Sequence, residues 1–289
     1  MSVHARRPVR ECTCAVVALL LAAAASAQPA GLPDAKSAAP DAIARALLDD
    51  GLDQKAREVL AREAAPRAVD VVTALVAGLP DDEEEEYRRI PWIWRVAVAA
   101  GRANDEAALR PLLDASMPRG GEPLRDWQSV VLGGGVVMGV SQAGAWPKDV
   151  MAPWLAEDAT RAARWARSLD LAIEMADNPK VRNGTRYDAL RMLAVLPWER
   201  AGTQLVRYLS ADVDAELQLG AIGGLSDLQD DRASQALLSH FPQYAEANRR
   251  HAINALLRTD TRRSLLRDAI RAGSVPDAWL TPEQRERLR

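Results

Sequence analysis

The sequence predicts an all-α protein, an α-solenoid of stacked helix hairpins with HEAT-like repeats, and three observations carry that prediction. Aliphatic residues recur at helical spacing and never alternate over a strand-length run. Proline, glycine and capping residues cut the chain into helix-length intervals. One pattern also returns at a nearly fixed period: Ala189-Leu190-Arg191-Met192-Leu193, Ala221-Ile222-Gly223-Gly224-Leu225 and Ala252-Ile253-Asn254-Ala255-Leu256 start 32 and 31 residues apart. Behind each comes an aliphatic pair, Leu205-Val206, Leu237-Leu238 and Leu265-Leu266. Two registers returning together point to a repeated helix pair, in which the small alanine lets the first helix approach its neighbour.

The chain opens with Arg6, Arg7 and Arg10, an apolar run from Ala15 to Ala25 and the small-residue triplet Ala25-Ser26-Ala27. That is the pattern of a Sec-type secretory signal peptide over 1–27, cleaved before Gln28. The run is shorter than the roughly 20 residues that span a bilayer, so it reads as a leader and a secreted or periplasmic location follows. Cys12 and Cys14 leave with it, which removes disulfides and thiolate chemistry from the mature chain. Cleavage also takes away three arginines and one glutamate, so the mature chain is two charges more negative than the formal −3. That balance argues against nucleic acid and anionic membranes as partners.

Residues 28–40, rich in Ala and Pro, read as a disordered linker, and the solenoid is expected over 41–289. Its helices are predicted in order at 41–50, 53–64, 68–78, 92–100 (Pro91 opening it), 104–115, 124–132, 148–157, 159–176, 184–196, 199–209, 213–228, 231–240, 245–258 and 261–272. Regular repeats run over 180–273. Segment 116–158, with Gly133-Gly134-Gly135, reads as irregular, a divergent repeat or an inserted corner. A last short helix starts at Thr281-Pro282-Glu283-Gln284, with Thr281 as cap, Pro282 in the first helical position and Gln284 closing a capping box. Two turns form a poor end cap for an array. The face formed by 261–289, including Leu265, Leu266, Ile270, Trp279 and Leu288, is therefore expected to dock a partner or a second copy.

The two-helix pattern at about 30 residues resembles HEAT repeats. The stretch Arg249 to Arg289 ("RRHAINALL … LLRDAIRAGSVPDAWLTPEQRERLR") resembles the repeat segment of large secreted planctomycete-type multidomain proteins, and Tyr87 to Gly135 is similar to another module of them. In that family, HEAT repeats accompany a sugar-dehydrogenase-like propeller, a c-type cytochrome domain, or both. The resemblance implies an association with an extracytoplasmic redox or carbohydrate-processing system. It carries over no haem, because no Cys-x-x-Cys-His motif is present.

Candidate sites are few. Gly139-Val140-Ser141-Gln142-Ala143 nearly matches a nucleophile elbow, but that motif needs a strand before the serine, and none is predicted. The upstream glycines miss the dinucleotide fingerprint by one position. His240 and His251 with Glu246 make a weak metal set, and surface or capping roles suit these histidines better. The acidic run Asp81 to Glu86 reads as a solvated first helical turn, where the helix dipole favours negative charge. Trp92, Trp94, Trp127, Trp146 and Trp154 fill a core nearly without Phe, with binding as their second role. The expected activity is a non-enzymatic scaffold or protein-interaction module without cofactor, catalytic group or metal. Its partner-binding candidates are Trp92, Trp94, Arg95, Trp127, Trp279 and Leu288, serving a protein partner or self-association. The alternative is a hydrolase with Ser141 as nucleophile.

Overall fold

A computed structural model describes residues 32–80, 82–117 and 125–289. The proposed leader, its two cysteines, Asp81 and the segment 118–124 lie outside the described residues. The described residues are helical, with no strand among them. No helix among them is long and apolar enough to cross a membrane.

The chain starts with α1 (Pro40–Leu48), α2 (Gln54–Glu63), α3 (Ala68–Val76), α4 (Glu83–Ala103) and α5 (Glu106–Ser116). A π-turn at Trp127–Val131 runs into α6 (Leu132–Gln142), followed by α7 (Pro147–Ala156), α8 (Ala159–Asp177) and α9 (Asn183–Met192). The remainder is α10 (Trp198–Arg207), α11 (Ala215–Asp227), α12 (Asp231–Ser239), α13 (Glu246–Leu256), α14 (Asp260–Arg271) and α15 (Pro282–Leu288). Local chemistry sets many of these starts. Asp53, Asp82, Asp105, Asp158, Asp214, Asp230 and Thr259 each cap a helix by accepting a backbone N–H with the side chain. The acidic run opens α4, with Glu83 to Glu86 in its first turn. Thr281 and Gln284 form the expected capping box of α15.

The helices pack in two rows. One row is α2, α4, α6, α9, α11 and α13, each against the next, and α15 extends it, since Gln284 donates to the Arg250 carbonyl (3.2 Å) and Asn254 Oδ1 (2.9 Å) on α13. We call this the inner row. In the outer row α1 packs on α3 and α3 on α5, while α10 packs on α12 and α12 on α14. Helix α8 bridges the two halves of the outer row. Arg164 donates to the carbonyls of Asp114 and Met117 at the end of α5, and Gln204 of α10 donates to the Ile173 carbonyl of α8. Helix α7 is the extra member.

Two expectations change. Within segment 116–158, Gly133, Gly134, Gly135 and Gly139 lie inside α6, which belongs to the inner row, so the glycine run is helix rather than a break. At the crossing of α4 and α6, a Cβ on Gly139 would stand 2.2 Å from the Val98 carbonyl, and one on Gly101 2.5 Å from that of Val136. The glycines are there for close backbone approach. Pro91 does not open its helix either but lies inside α4, which the Asp82 cap starts earlier. Of the expected linker, residues 32–39 lie against the first hairpin, with Ala35 buried and Arg67 donating to the Ala38 carbonyl at 2.7 Å.

Candidate functional site

The repeat pattern places equivalent residues on one stripe of the inner row. Arg191, Gly223 and Asn254 hold the third position of the pattern on α9, α11 and α13, and all three line a single cleft of about 1110 Å³. Tyr187, Leu219, Ser226 and His251, one turn away on the same helices, join them, as does Arg258 just after α13. Met138, Ser141 and Gln142 of α6 close one side, and arginines of α14 and α15 the other. Gly223 leaves room for the Arg191 side chain, whose guanidinium would stand 1.8 Å from a Cβ built there.

Under the floor lies Asp227, the last residue of α11, with a fully buried carboxylate. It accepts from Arg191 of α9 at 2.7 Å, from Ser141 of α6 at 2.6 Å, and from Arg258 just after α13. One carboxylate thus ties together four neighbours of the inner row. Arg258 also donates to the Ala145 carbonyl at 2.9 Å and stacks over Trp146 at 3.9 Å. Arg262 lies beneath, donating to the carbonyls of Ser226 (2.7 Å) and Leu228 (2.5 Å), with Trp146 5.5 Å away. Burial, and then the neighbouring Arg258 charge, brings the Arg262 pKa down to about 10, so it stays cationic at neutral pH. Asp188 is buried on α9 and accepts from Trp94 Nε1 at 2.9 Å. Burial pushes its pKa well above the ordinary 3.8. His251 stands at the exposed rim, where surrounding protein atoms, and then Arg191, hold its pKa below the usual 6.5.

The candidates read from sequence are scattered. Trp92, Trp127 and Leu288 are buried, the first between the guanidiniums of Arg57 and Arg95. Arg95 also reaches Glu58 at 3.3 Å. Trp94 and Arg95 line a smaller groove of about 320 Å³ that shares Gln142 with the main cleft. Trp279, half-buried, stacks on Phe241 at 5.8 Å beneath Arg249. On the face expected to dock a partner, Leu266 is also buried, while Leu265 and Ile270 are half-buried.

Ser141 occupies the last turn of α6 rather than a strand-to-helix elbow, and its hydroxyl donates to Asp227. His240 bonds its own helix at the Ala236 carbonyl. Comparison with protein-family models, curated proteins and solved structures finds no match, so the reading of the site rests on its own geometry.

The residues that sequence reasoning missed are Asp227, Arg258 and Arg262. A signal was present: Asp227 and Arg258 hold the same position relative to the recurring sequence pattern, six residues after its alanine. Opposite charges at equivalent positions of neighbouring repeats can pair across the stack.

Proposed function

We propose that this protein is a non-enzymatic binding module: a HEAT-like α-solenoid, exported by its leader, that holds a ligand or partner segment along the inner row. The observation that carries the proposal is the convergence of three repeat-equivalent residues, Arg191, Gly223 and Asn254, on one cleft. Repeat arrays bind through the surface formed by equivalent positions of successive units, and the groove at Trp94 and Arg95 extends that surface toward α2. Association with an extracytoplasmic redox or carbohydrate-processing system remains part of the proposal, on the resemblance described above.

A photocrosslinking residue at position 254, in cells exporting the protein, tests this reading. A discrete adduct from position 254, absent when the same residue replaces exposed Gln235 of the outer row, is expected. Equal labelling from both positions would overturn it. The hydrolase alternative needs a base for Ser141, yet the acceptor of its proton is Asp227, whose oxygens two arginines already engage. Turnover of ester or amide substrates that Ser141→Ala abolishes would restore that alternative.

A further inference from the structure

The cleft departs in charge from the chain that forms it. Lys and Arg number 37 against 40 Asp and Glu overall. The cleft is nevertheless lined by Arg191, Arg258, Arg263, Arg267, Arg287 and Arg289, with Asp260 as the one carboxylate on its walls among the described residues.

The excess is built into the interior as well as the rim. The side chains of Arg191 and Arg258 are only 7% and 14% exposed, and Arg262 is buried below them. Two guanidiniums therefore share the single carboxylate of Asp227, Arg262 beneath them is held by backbone carbonyls, and the nearby Asp188 is driven toward its neutral form by burial. Removing charge from water is costly unless it is neutralised, and this cluster holds more cations than anions. The rim adds further cations. Arg287 is exposed and has no carboxylate partner among the described residues, and Arg267 bonds the Leu288 carbonyl at 2.9 Å. Arg263 and Arg289 pair with Asp260 and Glu286, carboxylates whose side chains are 95% and 70% exposed, so those ion pairs are weak competitors for a ligand, while the Leu257 carbonyl accepts from Arg263 at 3.0 Å and holds it at the rim.

We propose that the cleft binds a small ligand bearing two or more oxyanion groups. The inference rests on the cleft being the binding site and adds the chemistry of what it takes. Guanidinium forks match carboxylate, phosphate and sulfate oxygens in pairs. One anionic group sits above Arg191 and Arg258, supplying the negative charge that the buried cluster lacks, and a second meets Arg263, Arg267 and Arg287. Tyr187 and Asn254 offer neutral polar groups between them, while Leu219 and Ile222 give the ligand body an apolar floor.

Isothermal titration with citrate, pyrophosphate and sulfate, with sorbitol as the uncharged control, tests this at an ionic strength fixed with sodium chloride. Citrate or pyrophosphate is expected to bind and sorbitol not to, and the relative affinity of the three anions reports whether planar or tetrahedral groups suit the site. Arg263→Gln/Arg267→Gln/Arg287→Gln leaves Asp227 and its partners intact and should weaken binding by at least about a hundredfold, since each charge-assisted bond contributes roughly a factor of ten or more and three are removed. Arg200→Gln/Arg207→Gln/Arg232→Gln removes equal charge from exposed positions of the outer row and should change affinity less than twofold. Failure of every anion to bind, or equal loss in both triple variants, would overturn the proposal. If position 254 still crosslinks a ligand while no anion binds, the binding-module reading stands and only the anionic class falls.

Discussion

The regular helices from α9 to α14 and the glycine-rich helix α6 are neighbours in one fold, yet the sequence describes them very differently. Over 183–271 an alanine marks each inner helix, an aliphatic pair each outer one, and the predicted elements match the observed ones to within a few residues. Over 127–142 the same architectural role is filled by Gly133, Gly134, Gly135 and Gly139, which by helix propensity read as a break. The difference lies in distance. The regular helices also use glycine at a close approach, a Cβ on Gly224 of α11 standing 2.6 Å from the Leu190 carbonyl of α9. But α6 meets α4 with a glycine on each side, Gly139 and Gly101, and there a Cβ on Gly139 would stand 2.2 Å from the Val98 carbonyl. Tertiary approach outweighs the propensity cost, roughly 1 kcal/mol for each glycine in a helix interior. A run of glycines flanked by valines can therefore mark a tightly packed helix rather than a break.

Asp227 joins the two regions, and its removal should give the largest effect. Asp227→Ala leaves Arg191 and Arg258 buried without their carboxylate and frees Ser141 of α6, so a loss of about 3–5 kcal/mol is expected in urea unfolding. A loss below about 1 kcal/mol would mean that the two regions are not clasped there. Next in size, Gly139→Ala should cost about 1–3 kcal/mol, because the added methyl meets the Val98 carbonyl and the Arg102 amide, which cannot move aside without separating α4 from α6. Gly184→Ala, at the start of α9 where the nearest atom is Glu216 Oε1 at 3.7 Å, should instead leave stability unchanged or raise it by up to about 1 kcal/mol. Opposite signs for one substitution in two helices sharpen the comparison, and equal signs break it.

The fold was legible where repetition made it so. Caps such as Asp158, Asp214 and Thr281 could be placed from local sequence because each acts within one turn. The place of Pro91 could not, because Asp82 had already started that helix and the proline sits in its interior. The site was less legible still. The tryptophans read first as core and second as binding residues: Trp92 and Trp127 are buried, and Trp94 donates to Asp188. The cleft residues are ordinary singly: Arg191, Asn254 and Arg258 acquire meaning only when α9, α11 and α13 lie side by side. Pairing across repeats depends on the stack, which no single helix encodes.

A smaller effect separates the regions by pH. The folded-state pKa of Asp188 is raised, so the folded chain keeps a proton that the unfolded chain gives up. Its stabilising contribution is full below the ordinary 3.8 and is lost as pH rises through the folded value. Asp188→Asn keeps an acceptor for Trp94 Nε1 and removes that loss, so its Tm should match the wild type at acidic pH and exceed it above the folded-state pKa. A variant whose Tm follows the wild type at every pH would show that Asp188 is solvated.

The central claim is that the glycine-rich segment is a buried helix continuous with the regular row. Amide hydrogen exchange tests it directly, residue by residue. Amides from Leu132 to Val140 should be protected to the same degree as those from Leu217 to Leu225 of α11, because both are hydrogen-bonded within helices of one packed row. Exchange of 132–140 at the rate of an open loop, while α11 stays protected, would contradict the account.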